Sequence, residues 1–362
     1  MQELRYTRSE PEFLLLYAAA PEMQRLKDVG MNCGCEYTNF PRFRNLPPYS
    51  RYRHSLGTAR IVWQFTHSRA QTLAALFHDI ATPVFAHTID FMHGDYLQQE
   101  YTEGRTESLI SHSAEIMSLL AHDGLTVAEV ADYHLYPIAD NDSPRLSADR
   151  LEYTLGNLAG YGLQQPAILQ DYYDDLCVSE DGGAPELAFR NADIASAFGF
   201  DSLKTSRIYV ADEDRYSMQR LSEIVAHAVK AGVLTMDTLY TTESAVIAKL
   251  CADDVLRPLW ERFCALHEMV YDEAQAPVSD RRVVPAKRRC IDPLVAGRGR
   301  LSKIDPHYAA ALQAFLHTPQ TDWLCAREQC KEIKESANIF RCLPIKTVKK
   351  TIRPKVSEGR IV

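Results

Sequence analysis

Long apolar runs are missing from this 362-residue chain. Its most apolar segments are short and broken by His, Arg or Asp, so no membrane-spanning helix is expected. The opening residues, MQELRYTRSEPEF, are polar and charged and hold no signal-peptide core. Nine cysteines are scattered along the chain, and neither close pair, Cys33/Cys35 or Cys325/Cys330, has the two-residue gap of a zinc knuckle. An odd cysteine count with no secretion signal points to reduced thiols in a cytoplasmic protein. Repeats and low-complexity arrays are absent, which removes solenoids and fibrous folds from consideration.

What is present describes an ordinary globular protein, 46% hydrophobic and 24% charged, long enough for a large core. The formal charge of −8 hides an asymmetry. From residue 281 onward there are 18 Lys/Arg against 7 Asp/Glu, whereas the first 280 residues hold 22 against 41. A basic C-terminal region of this kind meets phosphate, nucleic acid or an acidic neighbour, or else docks on the acidic part of its own chain.

The pattern predicts a mainly α fold, a multi-helix core over 1–270 and a small mixed α/β, basic region over 271–362. Residues 11–29 read as helix with a restart at Pro21. The Gly-, Asn- and Pro-rich stretch that follows reads as loop. From about 54 to 177, segments such as TESLISHSAEIMSLLAH, TVAEVADYHLY and SADRLEYTLGNLAGYGL carry apolar residues at three- and four-residue spacing, the mark of helices. LCVSEDGGAPELAFRN breaks that rhythm and reads as a hairpin of two short strands. Helices are expected again over 213–233, 242–268 and 307–317. The final stretch, CLPIKTVKKTIRPKVSEGRIV, is basic and extended.

Within TLAALFHDIATPVFAH, His78 and Asp79 stand where aliphatic residues would pack better. Burying a carboxylate beside an imidazole is expensive unless something holds both. His54, at the start of one predicted helix, and Asp149, at the start of another, complete a set of two imidazoles and two carboxylates from three helices. Such a set makes a mixed nitrogen and oxygen site for one divalent cation, whether manganese, iron, zinc, nickel or cobalt. For His67, His93, His122, His134, His227, His267, His307 and His317 the bland reading, packed or hydrogen-bonded, is taken.

RYRHSLGTARIV, ALFHDIATPVFAH, TESLISH and SADRLEYTL, in that order, resemble the metal-dependent HD-domain phosphohydrolases, most nearly the deoxynucleoside triphosphate triphosphohydrolases. The resemblance implies His54, His78, Asp79 and Asp149 as metal ligands and a nucleotide substrate accompanied by magnesium. It also implies phosphate or substrate contacts from Arg51, Asp90, Arg150 and Tyr153, and a homo-oligomer. For acid–base work it leaves His87, Glu107 and His112, with His87 preferred. The chain departs from the family pattern at Ala81 and Thr82, at Thr106, and at Gly156–Asn157. These departures keep a competing reading alive, a metal- and nucleotide-binding sensor or scaffold with little catalysis. Nucleic-acid binding by the basic C-terminal region is compatible with either and would show as a steep salt dependence.

Overall fold

Helix α1 spans Glu12–Ala18 and α2 spans Pro21–Gln24, with the expected restart at Pro21. The computed structural model describes residues 4–92, 94, 105–180 and 183–329. His93 and the basic stretch from 330 to 362 lie outside them. Residues 30–50 run without long regular elements, as their composition predicts. Helices α3 (Arg51–Thr66) and α4 (Arg69–Phe77) follow, N-capped by Ser50 and Ser68, whose hydroxyls accept from the N–H groups of Arg53 and Gln71. Every residue from Thr72 to Phe77 is buried, so α4 is a core helix beyond its first turn.

Next come α5 (Thr88–Met92), α6 (Thr106–His112), α7 (Ala114–Asp123) and α8 (Val127–Val130). TESLISHSAEIMSLLAH is therefore two helices rather than one, because Ser113 turns out of α6 and caps α7 through the Ile116 N–H. TVAEVADYHLY forms one helical turn and a 3-10 turn at Tyr133–Leu135. Helix α9 (Ala148–Gly160) is capped by Ser147 and lies, with α4, against α3.

Helix α10 (Pro166–Asp174) leads into the predicted hairpin, β1 (Leu176–Ser179) and β2 (Glu186–Phe189), with Leu176 opposite Phe189. Helix α11 (Ala192–Ile208) was not anticipated. Its buried face includes Asp201, Ser202, Thr205 and Ser206, which hides the apolar periodicity; the three hydroxyls bond back to helix carbonyls. Then follow α12 (Asp212–Lys230), α13 (Glu243–Ala252), α14 (Leu256–Cys264) and β3 (Leu266–Met269). The continuous helix expected over 242–268 is broken at Asp253, whose carboxylate accepts from the N–H groups of Val255 and Leu256.

Residues 271–329 belong to the same compact unit as the helices. They contribute β4 (Leu294–Val295), β5 (Gly299–Arg300), α15 (Leu301–Ile304), α16 (Pro306–His317) and β6 (Ala326–Glu328). One sheet has the order β1-β2-β4-β5, with β2 and β4 parallel; β3 and β6 form a separate antiparallel pair. The fold is thus mainly α with a small mixed part. One hydrophobic core gathers α1, α3, α4, α9, α10, α11 and α16, and a second gathers α5, α12, α13 and α14. No helix among the described residues is long and apolar enough to cross a membrane.

Candidate metal centre

Three helix ends converge. His54 sits in the first turn of α3, His78 caps the C-terminus of α4, and Asp149 is the second residue of α9. His54 Nε2, His78 Nε2 and Asp149 Oδ1 lie within 4.8 Å of one another. The two nitrogens face each other at 3.1 Å, and His54 Nε2 is 2.9 Å from Asp149 Oδ1. Two nitrogens bound to one ion at about 2.1 Å stand about 3.0 to 3.4 Å apart, so this spacing suits a shared cation.

Both rings are held from behind. His54 Nδ1 meets Glu152 Oε2 at 2.6 Å, and His78 Nδ1 donates to the Ala75 carbonyl at 2.7 Å. Each Nε2 is thereby the nitrogen aimed at the cluster, the arrangement that orients metal-binding histidines. Glu152, 3% exposed, also accepts from the Tyr49 hydroxyl at 2.5 Å. Sequence reasoning missed this glutamate. Its signal was its position three residues after Asp149, on the same face of α9.

Asp79 borders the cluster, with Oδ2 3.5 Å from His78 Nε2 and 3.9 Å from His54 Nε2. Arg51 Nη1 reaches its two oxygens at 3.2 and 3.1 Å, and the Thr82 hydroxyl donates to Oδ1 at 2.7 Å. The Thr82 departure thus holds the carboxylate by one hydrogen bond.

The electrostatics ask for positive charge at the centre. Burial alone would raise the Asp79 pKa, but Arg51, His78 and His54 hold it well below the usual carboxylate range. Burial acts the same way on Asp149, and His54 above all brings it to about 2. Burial pulls His54 down, yet hydrogen bonds to Asp149 and Glu152 lift it to about 10, so a proton there does what a cation would do. Donor set, spacing and field all fit a divalent ion.

The cluster opens into a cavity of about 600 Å³. Arg51, Arg150, Tyr153 and His87 line it. Arg150 Nη1 is 3.2 Å from Asp140 Oδ1, and the Tyr153 hydroxyl is pushed up to about 12, chiefly by burial. Asp90 is fully buried behind His87, with Oδ2 2.9 Å from His87 Nδ1. Glu107 and His112 are not brought to the site: both are exposed on α6, and His112 Nδ1 bonds to the Ser108 carbonyl. His134, read as bland, does line the cavity. So do Lys287, Arg288 and Arg289, where the basic region meets the helical core of its own chain.

No family model matches the chain. It is similar to the "uncharacterized protein YdhJ" of Bacillus subtilis, 24% identical over 253 residues that cover 68% of this chain and 74% of that protein. It is also similar to "metal-dependent phosphohydrolase cns2" of Cordyceps militaris. There the identity is 25% over 328 residues, 85% of this chain and 88% of that protein. Cluster and relative together fit the HD superfamily. A solved structure of a hypothetical protein from Aquifex aeolicus aligns with 88% of this chain and 92% of its own, with a TM-score of 0.56 and 16% identity. That last likeness concerns the fold alone. Of the adjacent pair His78–Asp79, one residue is aimed into the cluster and the other is held against Arg51.

Proposed function

We propose that this chain is a metal-dependent phosphohydrolase whose substrates are nucleotides, with deoxynucleoside triphosphates the first class to test. One observation carries the reading: two histidine Nε2 atoms 3.1 Å apart, each fixed through Nδ1, face Asp149 at the floor of a cation-lined cavity large enough for a nucleotide. The similarity to a metal-dependent phosphohydrolase supports it.

A divalent ion held by His54, His78, Asp149 and Asp79 would supply an acidified water and polarise a phosphoryl oxygen. Arg51 and Arg150, each steadied by a carboxylate, bind phosphate oxygens without having to be ordered by the substrate. His87 is the acid–base residue on this side of the cavity. Burial, with like charge from Arg289 and Arg51, outweighs its Asp90 hydrogen bond and lowers its pKa, so the ring is neutral at pH 7 and accepts a proton.

The test is a chromatographic product assay with manganese or magnesium and a panel of deoxy- and ribonucleoside mono- and triphosphates, using Asp149→Ala as the control. Nucleoside plus intact triphosphate identifies a triphosphohydrolase, and orthophosphate from monophosphates identifies a nucleotidase. Metal binding with no turnover anywhere on the panel would favour the sensor reading, for which the buried Thr106 at the start of α6 is the supporting observation.

A further inference from the structure

Two histidines besides His54 and His78 line the cavity among the described residues, His87 and His134, and each is backed by an aspartate. His134 Nδ1 lies 2.9 Å from Asp140 Oδ2. Asp140 is buried, and its Oδ1 accepts from the Ser147 hydroxyl and from Arg150 Nη1, both at 3.2 Å. The dyad is therefore fastened to the helix end that carries a proposed metal ligand. Ser147 caps α9, and the Asp149 N–H donates to the carbonyl of Ala139, the neighbour of Asp140. Tyr133 bridges the rings, its centroid 5.1 Å from His78 and 4.4 Å from His134, which puts His134 one ring beyond the cluster. With Nδ1 on Asp140, Nε2 is the nitrogen a substrate would meet.

We infer that His134, oriented by Asp140, is the proton donor to the leaving oxygen of the phosphoester; the inference rests on the phosphohydrolase reading above. The two dyads differ in the way an acid and a base should. His87 is set against a fully buried carboxylate and two arginines, whereas the His134 side chain is 52% exposed and its Nδ1 meets Asp140, with Arg150 beyond Asp140. In the step, a water oxygen bonds to phosphorus while the bond from phosphorus to the leaving oxygen breaks. That oxygen keeps the electron pair and takes the Nε2 proton of His134, and His87 takes the proton the water loses. Exchange with solvent then restores both rings.

The experiment compares a nucleoside 5′-phosphate or 5′-triphosphate, whichever the panel turns over, with its analogue bearing sulfur at the 5′ leaving position. A thiolate leaves without being protonated, because thiols are far more acidic than alcohols. His134→Gln is expected to slow the oxygen ester by ~10²- to 10⁴-fold, the usual worth of a general acid, and to leave the sulfur ester nearly at the wild-type rate. Asp140→Asn should repeat the pattern more weakly, while metal content stays at the wild-type value in both variants. His87→Gln should slow both esters. Equal losses on the two esters for His134→Gln, or none, overturn the assignment while the phosphohydrolase stands. A wild-type chain that binds metal and cleaves neither ester overturns the phosphohydrolase reading, and this inference with it.

Discussion

Gly57 on α3 faces Glu152 on α9 so closely that a Cβ at position 57 would lie 2.6 Å from Glu152 Oε1 and 2.7 Å from its Cγ. Only a residue without a side chain lets Glu152 reach His54 Nδ1. The glycine of HSLG thus acts through a residue far along the chain. Because the clash involves Cγ as well as the carboxylate, Gly57→Ala is expected to push the whole side chain aside. Metal affinity should fall by ~10- to 100-fold, as when an outer hydrogen-bond partner of a ligand is lost. Calorimetric metal titration checks this, and wild-type affinity in a folded variant would refute the role of Glu152.

Asp79 and His87 should separate under mutation. Asp79→Ala removes a proposed metal ligand beside the cluster and also strands Arg51, which is 7% exposed and whose Nε already lacks a partner. Loss of both metal and turnover is expected, with destabilisation of ~3 to 5 kcal/mol from the unpaired buried charge. His87→Ala is expected to keep the metal and lose ~10²- to 10⁴-fold in rate. Metal analysis of the purified variants distinguishes the two.

Arg25 fixes the turn that follows the HD pair. Its Nη2 donates to the carbonyls of Ile80 and Thr82 at 2.7 and 2.8 Å, and burial brings its pKa down to about 10. Arg25→Met should cost ~2 to 3 kcal/mol, the range for charge-assisted hydrogen bonds. It should also loosen Asp79, so that metal affinity falls with stability. Paired denaturant melts and metal titrations test the coupling.

Asp214, in the cavity wall, gives a pH dependence of known sign. Burial pushes its carboxyl up to about 7 from 3.8, against the opposing pull of the Cys35 thiol and of Arg42. The folded state therefore holds this proton more tightly than the unfolded state does. Its contribution to stability is complete below the unfolded value of 3.8 and is lost as pH rises to about 7. Full linkage would be worth about 4 kcal/mol; water in the cavity screens part, and about half is expected. Asp214→Asn should flatten this part of the stability profile between those pH values. An unchanged slope in chemical denaturation would contradict it.

Much of the scaffold was legible locally. Apolar residues at three- and four-residue spacing marked α3, α4 and α9, although α3 begins at Arg51, ahead of the expected His54, and the Asp-Gly-Gly break marked the β1–β2 hairpin. The order of His54, His78, Asp79 and Asp149 along three such helices was enough to expect a metal cluster, because helix ends and their side-chain directions are set within a few residues. Helix α11 escaped because hydroxyls bonded to their own helix occupy its buried face.

Partnership across the chain was decided only by the tertiary structure. Nothing local tells Glu152 that it will support His54, or Gly57 that it must make room. The same holds for His134, which looks like any loop histidine until the Asp140 loop and Tyr133 carry it to the cavity. Glu107 and His112 kept motif-like surroundings in sequence and still ended on the outer face of α6. Composition and periodicity determine which helices form and which face each one buries. Which polar side chains meet depends on how those helices stack, and a contact between residues 98 positions apart is written in packing.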